Sequence, residues 1–234
     1  AIAMMMIAVT LAVAGIIVSC TDLSGLSYRL SMGLVNTAGG NVWLLLTLTA
    51  ICCLILGMGM TTSAVYTIMA VLVAPALITV GFTPIAAHFF VFYWGVAALI
   101  TPPVCPASFV AAGIAGSEPM ITGVIATRLA IVTFLAPFIF VFQPAFLMEG
   151  GVTAVLLSTA YLAAALPALA GGLSGYLFGN LNLWWRILLI AGSLVVVYPA
   201  PLTNIVGSAI SVTLLLVRFI VSRVSTRVVA VNTG

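Results

Sequence analysis

The sequence predicts an all-α integral membrane protein, a polytopic bundle in which two helices are interrupted by polar residues. Three observations predict this class. Of the 234 residues, 65% are hydrophobic and only 4% are charged, and the mean hydropathy is +1.42. Apolar runs near the roughly 20 residues that span a bilayer alternate with glycine, proline and polar residues. Two of these polar interruptions fall inside apolar regions, within about forty residues of each other.

The scarcity of charge excludes several classes of protein. A soluble domain carries about 25% charged residues, which cover its surface in water. Soluble enzymes, disulfide scaffolds and disordered chains are therefore excluded, and a net charge of +3 is too sparse for a nucleic-acid partner. The cysteines show no metal-ligand spacing, and we predict that they are buried small hydrophobic residues. They are Cys20, Cys52, Cys53 and Cys105.

The N-terminal region, residues 1–41, is predicted to be a spanning helix followed by an interfacial segment. The chain begins inside an apolar run without an initiator methionine, so we expect it to be a fragment of a longer protein. A span over residues 1–20 leads to an amphipathic helix over 24–34, which carries Tyr28 and Arg29.

The central region, residues 42–116, contains both interruptions. Apolar pieces over 42–56 and 64–80 flank the first, which reads GMGMTTS at positions 57–63. Pro84 is well placed to begin the next helix, since its missing N–H is not needed in a first turn. That helix, over 85–100, breaks at Thr101-Pro102-Pro103 and continues over 104–116.

The C-terminal region, residues 117–234, is predicted to hold further transmembrane helices and a basic tail. The predicted apolar helices are 120–142, 152–178, 187–198 and 202–220. Gly171, Gly172 and Gly175 offer close helix approach, and Trp184-Trp185-Arg186 forms an interfacial anchor. Pro199 and Pro201 make a turn, and the tail carries Arg218, Arg223 and Arg227.

Catalysis is not expected, because no paired carboxylates and no Ser/His/Asp or Cys/His set can be assembled from so few polar residues. An intramembrane aspartyl enzyme would need two aspartates, and the chain has only Asp22. Glu118 and Glu149 fall at predicted helix ends. A channel would need a polar stripe along its spans, and none shows one.

The two interruptions carry the chemistry that remains. In hydrocarbon an unsatisfied backbone N–H or C=O costs several kcal/mol, so broken helices persist where they line a cavity or bind an ion. Carbonyl and hydroxyl oxygens are hard ligands that suit an alkali cation. Half-helix C-termini favour Na⁺ and half-helix N-termini favour a carboxylate. The pair of breaks predicts a cation-coupled carrier of anions, while a single break is more often a kink.

Each of several other residues has two possible roles. His88 is a proton relay or a hydrogen-bonding packing residue, and Arg128, ten residues into a span, is functional or snorkels to the interface. Met58 and Met60 are soft metal ligands or packing residues. Tyr93 and Trp94 are predicted to be packing or interfacial aromatics.

At these motifs the sequence resembles the large permease subunit of tripartite ATP-independent periplasmic (TRAP) transporters, the DctM-like proteins, especially those fused to their small membrane subunit. The matching stretches are LGMGMTTSAVY at 56–66, APAL at 74–77, AAHFFVFYWG at 86–95, ITPPV at 100–104, AAGIAGSEP at 111–119 and PF…F…PAFL at 137–147. They cover residues 39–147 densely and in order. The sequence departs from the fused-type motif at Thr61, which stands where that motif has proline, and Pro106 follows the TPPV motif closely.

The resemblance implies Na⁺-coupled import of small organic acids that a periplasmic binding protein delivers, in the bacterial inner membrane. It also implies a partner small membrane subunit, fused or separate. The family's permease is an elevator built from an inverted repeat, and this chain looks like its C-terminal half. On that mapping 42–80 is a re-entrant helical hairpin and 84–116 is the discontinuous helix. No cofactor is implied beyond the coupling ion.

The implied site lies between the hairpin tip and the second break. Na⁺ would be held by Gly57, Gly59, Thr61, Thr62, Thr101 and Pro102. The substrate carboxylate would meet Thr62, Ser63 and Pro103. Another cation-coupled anion carrier and a structural membrane subunit are the alternative functions.

The distribution of arginines leaves the orientation open. If the first broken segment is re-entrant, Arg186 and the tail arginines share one face, which places the C-terminus in the cytoplasm. If both broken segments cross fully, Arg29 joins them, an arrangement that the positive-inside rule prefers slightly. The resemblance favours the hairpin.

Overall fold

The computed structural model describes residues 2–197 and 201–232, and its regular secondary structure is helical throughout that part of the chain. The α-helices are α1 (Ile2–Leu23), α2 (Leu26–Ala38), α3 (Val42–Gly57), α4 (Thr62–Leu72), α5 (Ala74–Thr79), α6 (Pro84–Ala97), α7 (Pro106–Ala115), α8 (Pro119–Leu129), α9 (Ile131–Phe142), α10 (Val152–Ser174), α11 (Leu183–Leu194) and α12 (Pro201–Asn232). The predicted all-α class is confirmed. Among the described residues, segments 62–79, 119–142 and 152–174 are long and apolar enough to cross a membrane.

The chain divides into two compact units, residues 1–141 and 142–234. In the first unit, α3, α4 and α5 all contact α6. Phe90 and Val91 of α6 are fully buried, as are Leu46 of α3 and Met69 of α4. Because lipid tails are as apolar as these side chains, the packing is stabilised mainly by close van der Waals contact, for which small residues are needed at the helix crossings.

Aromatic rings join α6 to α9 within the same unit. The ring centroids of Trp94 and Phe134 are 5.3 Å apart, and those of Phe90 and Phe138 are 5.5 Å apart in an edge-to-face arrangement. The Tyr93 ring lies 5.3 Å from that of Phe140. Tyr93 and Trp94 are therefore packing aromatics, which is one of the two roles predicted for them.

Two predicted spans are interrupted. The stretch 64–80 is divided at Val73 into α4 and α5, and Pro75, in the first turn of α5, cannot donate the N–H that a continuous helix needs. The stretch 120–142 is divided at Ala130. Arg128 lies in the last turn of α8, where a cation is favoured by the helix dipole, and its side chain is exposed.

In the second unit α10 packs against α11 and α12. A Cβ at Gly172 would stand 2.8 Å from Ile190 Cγ1, so glycine allows the predicted close approach of α10 and α11. Helix α10 ends at Ser174, earlier than the predicted residue 178, because Gly175 adopts a left-handed conformation with φ 75° and caps the helix.

The last helix is longer than predicted. Pro201 begins α12, which runs to Asn232, well past the predicted end at residue 220. The predicted turn residue Pro199 lies outside the described residues, and so do the side chains of Arg223 and Arg227.

Candidate functional site

The first interruption lies between α3 and α4. Helix α3 ends at Gly57, the chain turns through Gly59 with φ 78°, and Thr61 precedes the first turn of α4. A positive φ strongly favours glycine, so this turn depends on Gly59. The hydroxyl of Thr61 does not cap the helix, which leaves the N–H groups of the first turn of α4 without a side-chain acceptor from that residue.

Three hydroxyl groups are exposed beside this turn. Thr61, Thr62 and Ser63 are all exposed, and in the described part of the chain none of their hydroxyls forms a hydrogen bond. In contrast, Thr67 one turn later donates to the carbonyl of Ser63 at 2.8 Å, as threonines inside helices usually do. The start of α4 therefore presents free hydroxyl oxygens and free N–H groups at one place.

The second interruption lies between Ala97, the last residue of α6, and Pro106, the first of α7. Hydrogen bonds hold its backbone in shape. The Thr101 hydroxyl donates to the carbonyl of Ala97 at 2.7 Å, and the N–H of Ala107 donates to the carbonyl of Leu99 at 3.1 Å. Pro102 and Pro103 contribute no N–H, so the break has more carbonyl acceptors than N–H donors.

Helix α8 supports the second interruption from outside. The Thr127 hydroxyl donates to the carbonyl of Ile100 at 3.1 Å, and Ser108 of α7 donates to the same carbonyl at 3.4 Å. A Cβ at Gly123 would stand 2.6 Å from Cys105 Sγ and 3.2 Å from Pro102 Cγ. Only glycine at position 123 allows α8 to lie so close to the break.

The two interruptions are in contact with each other. Gly57 is buried, and a Cβ there would stand 2.9 Å from both the carbonyl oxygen of Gly95 and Cβ of Ala98. A Cβ at Gly59 would lie 3.9 Å from Val104 Cγ1. The tip of the first break is therefore packed on the end of α6 and on the segment that follows it.

The candidate site residues differ in how accessible they are. Thr101 and Pro102 are half-buried, whereas Gly59 and Pro103 are exposed. No hydrogen bond joins the hydroxyl of Thr62 or Ser63 to the second interruption in the described residues. Gly57 and Gly59 are thus the candidate residues that the structure brings against the second break.

Sequence reasoning missed four residues that shape the site, namely Gly95, Ser108, Gly123 and Thr127. Gly95, Gly123 and Thr127 act through contacts with segments that are distant along the chain, whereas Ser108 binds a carbonyl only eight positions before it. A hydroxyl within an apolar span, such as that of Thr127, is the sequence feature that could have indicated such a contact.

His88, for which two roles were predicted, makes a hydrogen-bonding contact. Its Nδ1 lies 3.2 Å from the Tyr66 hydroxyl, and the pair borders an open cavity of about 270 Å³ together with Phe89 and Phe92. Met60 packs against the apolar cluster around Met69, as its packing interpretation requires.

The cysteine prediction is confirmed in part. Cys53 and Cys105 are buried and Cys52 is half-buried, but Cys20 is exposed. Cys20 lies near the end of α1.

The helical fold and the paired breaks define a polytopic membrane protein with discontinuous helices. The family described as tripartite ATP-independent periplasmic transporter, DctM component, matches residues 1–155, a range that contains both breaks. The chain belongs to this family, the large membrane permeases of TRAP transporters. Neither the curated proteins nor the solved structures include a match to the chain. Transport components of this kind work with a periplasmic binding protein and a small membrane subunit.

Proposed function

We propose that this chain carries the ion and substrate site through which a TRAP permease couples Na⁺ entry to the import of small carboxylates. The contact between the two interruptions, at Gly57 against Gly95 and Ala98, is the observation that carries the proposal. It brings the end of α3 against the end of α6 and the segment that follows α6, inside a chain that has very few charged side chains.

In this proposal Na⁺ is coordinated by oxygen atoms of both segments. The tip contributes carbonyls of Gly57 and Gly59 and the oxygens of Thr61 and Thr62, and the second break contributes oxygens of Thr101 and Pro102. Neutral oxygens are suitable ligands for a hard monovalent cation. The end of α6 adds the partial negative charge of its last carbonyls.

The substrate carboxylate is proposed to bind at the start of α4, near Thr62, Ser63 and Pro103. The first-turn N–H groups of a helix carry partial positive charge and attract an anion. Hydroxyls of Thr62 and Ser63 are exposed and without partners in the described residues, so they are free to donate to a carboxylate.

The remaining family features are part of the same proposal. Helices α3 to α5 form the re-entrant hairpin of an elevator-type carrier in the bacterial inner membrane, with the C-terminus in the cytoplasm. Both α3 and α4 meet α6 near Gly95, which is compatible with a chain that turns back at the tip. The binding protein delivers the carboxylate on the periplasmic side, and the small subunit is separate or fused.

Removal of Na⁺ is expected to abolish uptake. The full-length permease would be reconstituted in vesicles with its binding protein, and uptake of a radiolabelled carboxylate would be measured with Na⁺ or K⁺ outside at the same membrane potential. Because the ion is part of the loaded site, uptake in K⁺ should fall to the level of empty vesicles. Equal uptake in both media would refute Na⁺ coupling, and uptake of a neutral amide analogue in place of the acid would refute the carboxylate assignment.

Removal of the two threonine hydroxyls is expected to weaken Na⁺ binding. In a Thr62→Val/Thr101→Val variant, the Na⁺ concentration for half-maximal uptake should rise at least about tenfold. A hydrogen bond to a charged group contributes about 1.5–3 kcal/mol, and we expect the loss of hydroxyl oxygens from the Na⁺ site to cost a similar amount. The measurement is uptake as a function of Na⁺ concentration in the same vesicles.

A Thr47→Val/Thr79→Val variant is the matched control. These hydroxyls donate to carbonyls of their own helices, at 2.8 Å to Trp43 and at 2.9 Å to Ala76, and lie outside the proposed site. Its Na⁺ dependence should equal that of the unmodified protein. If the variant at Thr62 and Thr101 also behaves like the unmodified protein, the proposed ligands are wrong and a structural role of this segment is favoured.

A further inference from the structure

The loop between α10 and α11, residues 175–182, is closed by its own backbone. Tyr176 and Asn180 form an isolated antiparallel bridge, the N–H of Leu177 donates to the carbonyl of Gly179 at 3.0 Å, and that of Leu181 donates to the carbonyl of Gly175 at 2.9 Å. Residues at its two ends therefore lie side by side.

Two arginines from different helices bind backbone carbonyls here, one at the end of α10 and one in the loop itself. Arg186 of α11 donates from Nε to the carbonyl of Gly172 at 3.0 Å and from Nη2 to that of Leu173 at 3.1 Å, so it caps the C-terminus of α10. Arg218 of α12 donates from Nη2 to the carbonyl of Asn180 at 2.9 Å. A Cβ at Gly179 would stand 3.2 Å from that nitrogen, so the loop backbone lies directly against the guanidinium group.

Carbonyl groups are the only acceptors that these two cations have within the described part of the second unit. Arg218 Nε is buried there without a partner. Glu149 is the only acidic residue in 142–234, and it precedes α10, whereas the loop follows it. The 23 residues of α10 separate the two ends by about 35 Å. The carboxylate of Glu149 therefore cannot neutralise either arginine.

The surroundings of the loop are those of a membrane interface. Tyr176 lies in the loop and Leu183 and Trp184 begin α11 directly after it, and they are 63%, 69% and 77% exposed. Tyrosine and tryptophan favour the headgroup level of a bilayer, because their rings are amphipathic. The sequence continues beyond Arg218 with Arg223 and Arg227, which adds to the positive charge of this end of the chain.

We propose that this loop binds the phosphate headgroup of an anionic phospholipid, held by Arg218 together with Arg186 and flanked by Tyr176 and Trp184. A guanidinium group retains donors after one or two carbonyl bonds, and phosphate oxygens match its geometry. The lipid supplies the negative charge that the described part of the second unit lacks beside the loop. Free inorganic phosphate has the same oxygen chemistry, but aromatic residues at headgroup level favour the lipid.

The test is native mass spectrometry of the purified full chain with phosphatidylglycerol or with phosphatidylcholine of the same acyl chains. The unmodified protein should bind phosphatidylglycerol at least about fivefold more tightly, since each basic residue near an anionic surface contributes a factor of that order. Equal binding of both lipids would overturn the proposal without any variant.

Variants locate the site. Arg218→Gln should lower the affinity for phosphatidylglycerol about fivefold and leave that for phosphatidylcholine unchanged, while Arg218→Lys, which keeps the charge, should lose less. Arg128→Gln is the matched control, because it also removes one positive charge but at a residue outside the second unit. Equal losses in Arg218→Gln and Arg128→Gln would overturn the proposal, and so would displacement of the lipid by excess inorganic phosphate.

Discussion

Replacing Gly57 by alanine is expected to reduce Na⁺-dependent uptake at least about fivefold. The new methyl group would stand 2.9 Å from the carbonyl oxygen of Gly95 and equally close to Cβ of Ala98. Neither atom belongs to a flexible side chain, so the tip must move away from α6. Overpacking of this kind costs about 1–3 kcal/mol, which lowers the population of the arrangement with the two breaks in contact by about fivefold or more.

The control for this substitution is Gly113→Ala in α7. Gly113 is also helical and lies in the same unit, but a Cβ there has nothing within 4 Å. Uptake should therefore match that of the unmodified protein. Thermal unfolding of both purified variants separates lost transport from lost folding. If the Gly57 variant transports as well as the Gly113 variant, contact between the two breaks is not required for transport.

The sequence predicted both interruptions because each has a local cause. Proline lacks an N–H wherever it occurs, and a glycine pair with neighbouring hydroxyls is visible without any knowledge of the fold. The break before α7 therefore appears close to where Pro102 and Pro103 place it. The interruption at Val73 has an equally local cause in Pro75, but the length of the apolar run, seventeen residues, predicts one continuous helix.

The packing partners of the breaks were not predictable from local pattern. Gly95 looks like any glycine in an apolar helix until α3 and α4 are placed against it. Thr127 lies 27 positions from Ile100, whose carbonyl it binds. Contacts of this range depend on how helices cross, and hydropathy carries no information about crossing.

The scarcity of charged residues has opposite consequences at the two interruptions and at the α10–α11 loop. At the breaks, neutral oxygens and helix ends replace ionised side chains as possible ligands. At the α10–α11 loop, the few charges present are arginines without a nearby carboxylate in their own unit. The described polar chemistry is thus divided between backbone dipoles in the first unit and arginines bound to backbone carbonyls in the second.

Replacing Gly95 by alanine is expected to destabilise the first unit by about 1–3 kcal/mol. The added Cβ would stand 2.5 Å from Val65 Cγ1 and 3.0 Å from Met69 Sδ. Met69 can rearrange, because its side chain is unbranched. Val65 is almost completely buried and β-branched within a helix, where one rotamer is strongly preferred, so its methyl group cannot rotate away. Thermal unfolding in detergent should show a lower midpoint.

The clash with Val65 makes a specific rescue possible. Val65→Ala alone leaves a cavity and should also lower the midpoint. Combined with Gly95→Ala it removes the clashing methyl group and lets the new one fill part of that space. The double variant should therefore be more stable than the sum of the two losses, by about 1 kcal/mol. Gly33→Ala, whose Cβ has nothing within 4 Å, should show simple additivity with Val65→Ala. Additivity in the Gly95 pair as well would mean that α4 and α6 do not meet at these residues.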